Sequence, residues 1–194
     1  MYIANPRYNG VFKLLIFLLF CSACTENKSV IEGKLPNKSY DNEVVYLVPF
    51  KGATKETVDS ALIKDGSFRF ILKPKKQNQV FIVRVKPLLR LSLQDLLIIS
   101  EPGTVYVNLN SSSSASGTPL NQTLQQWKEK KFVYDSTFYS FNRQYRKETD
   151  ESVKKRLQSE LDELNKEYKT YEDSLIEKNR DNPAGQFIRS LHQP

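Results

Sequence analysis

The chain has 194 residues, a formal net charge of +7, 11% aromatic side chains, one His and two Cys. So few His and Cys exclude the clusters that build zinc sites, no D-x-D-x-D-G loop offers calcium its oxygens, and no phosphate-cradling glycine motif occurs. No metal or cofactor is therefore expected, and the basic residues "KPKK" (Lys73 to Lys76), Arg84, Lys86 and Arg90 lack any accompanying nucleic-acid motif, so they read as solvated strand ends with no nucleic acid as partner.

The chain opens "MYIANPRYNGVFKLLIFLLF", where Arg7 and Lys13 precede an apolar run too short to span a bilayer. This is the pattern of an export signal over residues 1–23. "FCSAC" follows. Ser22 and Ala23 stand directly before Cys24, which resembles the lipobox of bacterial lipoproteins, with Cys21 in place of the usual aliphatic residue. A redox C-x-x-C would need a strand before it and a helix N-terminus after it to lower the thiol pKa, and the flanks here are a hydrophobic leader and "TENKS". The expectation is a lipid on Cys24, loss of Cys21 with the leader, a tether over 24–29, and a mature chain of about 170 residues whose charge falls to +5 once Arg7 and Lys13 are removed. Such a charge fits contact with an anionic membrane or polyanionic glycan at most.

Residues 30–116 carry seven short runs rich in β-branched and aromatic residues: "VIEGKL" (30–35), "EVVYLV" (43–48), "TVDSALI" (57–63), "SFRFIL" (67–72), "QVFIVRV" (79–85), "DLLIIS" (95–100) and "TVYVNL" (104–109). In "SFRFIL" Phe68, Phe70 and Leu72 fall on one face and Arg69 on the other, as in a half-buried strand. "KDGS" at 64–67 and "EPG" at 101–103 read as hairpin turns. The fold predicted is α+β: an antiparallel β-sandwich or partly open barrel of about seven strands, then an antiparallel helical hairpin.

"SSSSASG" (111–117) marks the expected boundary. Beyond it Leu120, Leu124, Trp127, Lys131, Tyr134, Phe138, Phe141 and Tyr145 recur at steps of three and four, one face of a long helix. After "ETDES", with Asp150 as cap, Val153, Leu157, Leu161, Leu164, Tyr168, Tyr171 and Leu175 repeat the spacing. The hairpin spans 117–180, and a short helix and tail over 181–194 begin with Asn182 as cap and Pro183 at the first helical position.

Searching for chemistry yields little. His192, beside the chain end, reads as a bystander, and the pairs Asp162/Glu163 and Glu172/Asp173 read as solvated charges on the second helix, so no catalytic residue is assigned. Phe132 and Tyr139 fall off the apolar stripe of the first helix. Packing against the β domain is the ordinary reading for such residues; binding of a partner protein or a sugar is the other.

"VIEGKLPN", "EVVYLVP", "DSALIKDGSFRF", "LIISEPGTVYVNL" and "SGTPLNQTLQQW", in this order, resemble the uncharacterised β-rich N-terminal domain of envelope lipoproteins from Gram-negative gut anaerobes. The resemblance runs from about Ser29 to Phe187, where "NPAGQF" is also similar. In that family a thioredoxin-like thiol-disulfide oxidoreductase domain follows. This sequence stops at Pro194, so the family's redox cysteines have no counterpart in it. The resemblance implies a fold and an envelope location, and "TENK" after Cys24, with Glu26 as its only acid, points to the periplasmic face of the outer membrane. Three functional readings follow: a non-catalytic, membrane-anchored module that docks an envelope protein, an accessory or truncated form of a thioredoxin-like enzyme acting with a catalytic domain in trans, and a glycan-binding lipoprotein.

Overall fold

The structure, a computed structural model, describes residues 28–72 and 78–192. The leader, Cys24 and the "KPKK" run lie outside the described residues. Alternation of side chains governs the first half. In β4 (Ser67–Leu72) Phe68 and Phe70 are buried while Ser67, Arg69 and Ile71 are exposed, the period of two that a strand with one wet face imposes. β1 (Ser29–Lys34), β2 (Val44–Pro49), β3 (Asp59–Leu62), β5 (Val80–Val85), β6 (Leu96–Ile99) and β7 (Gly103–Asn108) account for the other expected runs.

An eighth strand, β8 (Ser114–Ser116), lies inside the serine-rich segment read as a boundary. Three small residues carry no periodicity. Its strand character comes from antiparallel pairing with β7, through Tyr106 to Ser116 and Asn108 to Ser114, which buries Ala115. The β unit therefore keeps this stretch.

The strands form two four-stranded sheets, ordered β4-β1-β7-β8 and β3-β2-β5-β6, called A and B below. They stay open and face each other as a sandwich, without closing into a barrel. β1 and β7 run parallel, and the remaining pairs are antiparallel. "KDGS" closes a two-residue hairpin turn, Lys64 and Ser67 exchanging both backbone bonds, while "EPG" makes only a bend at Pro102; each carries the chain from sheet B to sheet A. Asp65 sits at φ +51° as a type I′ turn demands. The strand pattern alone does not say which sheet a strand enters. Ile31, Val45, Leu47, Phe70, Val83, Leu96, Ile98 and Val105 fill the space between the sheets.

The helices are α1 (Pro119–Lys147), α2 (Glu151–Lys178) and α3 (Pro183–Ser190). Asp150 Oδ1 accepts from the amides of Ser152 and Val153, and Asn182 Oδ1 from those of Ala184 and Gly185, so both expected caps form. α1 and α2 lie antiparallel: Trp127, early in α1, meets Glu172, late in α2, and further along Tyr134 stacks on Tyr168 with ring centroids 4.2 Å apart. α3 closes the open end. Ala184, Phe187 and Ile188 join Leu124 and Trp127 of α1 and Ile99 of β6 in a second buried cluster, so the helical layer shares a core with sheet B.

Gly33, in the middle of β1, is buried beneath the Phe68 ring, and a Cβ there would lie 1.9 Å from Phe68 Cζ. Gly33→Ala is expected to force that ring out of place and lower stability by about 1–3 kcal/mol. Urea unfolding followed by circular dichroism measures this, and a midpoint equal to that of the parent would refute the contact.

Candidate functional site

Three features of the helical layer bear on function: its attachment to the sandwich, a buried carboxylate, and the outward side of α1. The attachment uses side chains in place of a helix cap. Thr118, the residue preceding α1, makes no capping bond of its own, because its Oγ1 accepts from Asn121 Nδ2 at 2.9 Å. Glu101, from the turn after β6, supplies the cap: its Oε1 accepts from the amides of Leu120 and Asn121 at 2.9 and 3.1 Å. A carboxylate there satisfies orphan amides and lies at the positive end of the helix dipole. Asn121, with no exposed surface, donates from Nδ2 to the Ile99 carbonyl at 2.7 Å and accepts from the Ile99 amide at 2.9 Å. Its amide thus continues the hydrogen bonding of β6 into the helix. The "EPG" segment, read only as a turn, holds this acid.

Glu172 is the second feature. It is 7% exposed, which corrects its reading as a solvated charge. Oε1 accepts from Trp127 Nε1–H at 2.8 Å and from the Tyr168 hydroxyl at 2.9 Å, and Oε2 lies 3.0 Å from His192 Nε2. A carboxylate out of water needs such partners. The half-exposed His192 ring thus lies against a buried carboxylate. Burial, and then the bond to Glu172, push the Tyr168 phenol above its ordinary range. Only the fold brings together positions 45 residues apart along the chain; the one signal in the sequence is that Glu172 falls between Tyr168 and Leu175 on the packed side of α2. Asp162 and Glu163 are exposed as expected. The arrangement offers no nucleophile beside a base, and among the described residues no three His, Cys, Asp or Glu side chains stand together as a metal would need.

The third feature concerns Phe132 and Tyr139. Both are 72% exposed, so the expectation that they pack against the β unit is corrected. The sandwich contacts only the first turns of α1, where Asn121 and Leu124 lie, and α2 covers the Tyr134 side. Phe132 and Tyr139 are seven residues apart, hence on the same side two turns from each other. Val133 beside them is 58% exposed. The fold does not bring this surface near the Glu172 network.

Lys128, one turn before Phe132, is held against the β8 end of the sandwich, where Nζ donates to the Ser113 carbonyl at 3.1 Å and to Gln125 Oε1 at 3.3 Å. Both acceptors are neutral, and burial pushes the ammonium down to about 8. An unfolded lysine titrates near ~10.4, so between these values the unfolded chain binds more protons and stability rises with pH. Lys128→Met is expected to flatten that rise and to raise the urea midpoint more at pH 7 than at pH 10. Superimposable pH profiles for the two proteins would contradict a buried ammonium.

Comparison with curated proteins gave no match, and comparison with solved structures gave none either. A family model described as Domain of unknown function (DUF4369) matches residues 29–124, which are both sheets and the start of α1 as far as the buried Leu124. The match takes in Glu101 and Asn121, the residues that fasten helix to sheet. Through this β-rich unit the chain is similar to the DUF4369 family.

Proposed function

We propose that the protein is a non-catalytic accessory module of the bacterial cell envelope, anchored by a lipid on Cys24 at the periplasmic face of the outer membrane, which docks another envelope protein on the outward side of α1. The observation that carries the reading is the exposure of Phe132 and Tyr139, 72% each, on a helix whose other aromatic side chains are packed or half-packed. Large aromatic side chains on a rigid helix lose little entropy on binding and dominate the energetics of many interfaces. Without a partner their apolar surface stays in water. The anchoring half of the reading rests on the leader and the small residues before Cys24.

Crosslinking and capture from native envelopes with epitope-tagged full-length protein tests the docking half. Phe132→Ala/Tyr139→Ala is expected to abolish recovery of the partner while changing stability by no more than about 0.5 kcal/mol, as for other exposed positions. Recovery undiminished by this variant would sink the reading. A thioredoxin-like partner, captured through the same residues, would specify the module as a redox accessory that works with a catalytic domain in trans. For the anchor, Cys24→Ser is expected to leave an uncleaved precursor without acyl chains, seen by intact mass; processing and acylation as in the parent would rule Cys24 out.

A further inference from the structure

Register fixes what sheet A shows to water. Glu32 of β1 stands opposite both Arg69 of β4 and Tyr106 of β7, and Tyr106 stands opposite Ser116 of β8, so these four form one row across the sheet. Two residues on, Lys34 stands between Ser67 and Asn108. The alternate residues Ile31, Phe70, Val105 and Val107 are core, so both rows face outward. All of these outward residues but Ser116 line a cleft whose margin also includes Ser60, Ala61 and Leu62 of β3 and Lys64, from the turn between β3 and β4.

Tyr106 is 52% exposed, with one side of its ring covered. Its ring rests against Gly117, which is held at φ +99° and where a Cβ would lie 2.8 Å from Tyr106 Cδ2. Arg69 and Glu32 approach to 3.5 Å, and about half of each side chain stays in water. Lys34 and Lys64 have no carboxylate partner among the described residues. The cleft thus sets three cations against one carboxylate around an aromatic ring backed by Gly117.

The floor narrows the class of ligand. β1 and β7 are each paired on both sides, so the backbone groups of the floor are used, whereas β4 and β3, which supply Ser67 to Arg69 and Ser60 to Leu62 at the margins of the cleft, are the edge strands of their sheets. No helix N-terminus opens onto the cleft to cradle a phosphate. On the floor, recognition runs through side chains: an apolar ring, a guanidinium, an amide, a carboxylate and two ammonium groups. A ligand with an apolar ring face, many hydroxyls and negative charge matches that set.

We propose that this cleft binds an acidic oligosaccharide. One pyranose ring stacks on Tyr106, its hydroxyls bond to Glu32 and Asn108, and the carboxylates or sulfates of the chain meet Lys34, Lys64 and Arg69. The site shares no residue with the docking surface on α1 and stands independently of it.

Calorimetric titration of the detergent-solubilised full chain with trigalacturonate and with a chondroitin sulfate tetrasaccharide tests this, with neutral galactotriose as control. At least one acidic probe is expected to bind, and the neutral trimer to bind about tenfold or more weakly. Tyr106→Ala should weaken the acidic probe by about tenfold, as loss of an aromatic stacking partner does, while Tyr106→Phe keeps the binding. Lys34→Ala/Lys64→Ala, at two exposed positions, should weaken it comparably, and carries the test alone if Tyr106→Ala fails to fold. No binding of either acidic probe up to about 5 mM would overturn the proposal, as would affinity indifferent to the lysine pair or equal affinity for tetraglutamate, which has the charge without the rings.

Discussion

The amide of Asn121 is the constraint on which the two halves of this protein depend. It offers one acceptor and two donors to the end of β6, to Glu101 and to the Thr118 hydroxyl, and it does so with no surface exposed to water. An amide in that position is satisfied only in a narrow geometry. Once it is bonded to Ile99, the direction of α1 relative to sheet B is set, and Glu101 fixes the same turn a second time from the other side. The apolar contacts of Leu124 and Trp127 then complete a joint whose angle polar groups have determined. Apolar packing tolerates sliding; a bidentate amide does not.

From that joint the helical layer closes on itself. α2 returns along α1, and α3 folds back so that Phe187 meets the Trp127 ring edge-on at 6.3 Å and the Phe50 ring at 5.0 Å. The cost of burying Glu172 in this layer is offset by two donors, from α1 and α2, and by the His192 ring 3.0 Å away in the segment after α3. One carboxylate thereby ties three successive parts of the chain together. The consequence for α1 is asymmetric. Its first half is occupied on several sides and its second half on one, which is why Phe132 and Tyr139 remain uncovered.

Much of this was legible in the residues, and the divide between what was and what was not is physical. β4 announces itself because Phe68, Arg69 and Phe70 alternate over a half-buried sheet, and the caps at Asp150 and Asn182 because side chains there satisfy amides a few residues away. Such signals are local. β8 is invisible because its strand conformation is imposed by β7, and the parallel placement of β1 beside β7 depends on partners about 74 residues apart. Glu172 looks like a surface residue until the hairpin folds. Phe132 and Tyr139 could be placed off the stripe from spacing alone, but whether a neighbour covered them depended on where the sandwich ends along α1.

The position of β1 has a mechanical consequence. The chain enters the described fold at this strand, which lies inside sheet A with β4 antiparallel on one side and β7 parallel on the other. Tension applied to the N-terminal end acts along the strand axis and loads both hydrogen-bond ladders together in shear. Had the entering strand been an edge strand, the same tension would meet one ladder only. A fold that begins with an interior strand resists being drawn out by its own leading end, and it yields only when bonds on both flanks rupture at once.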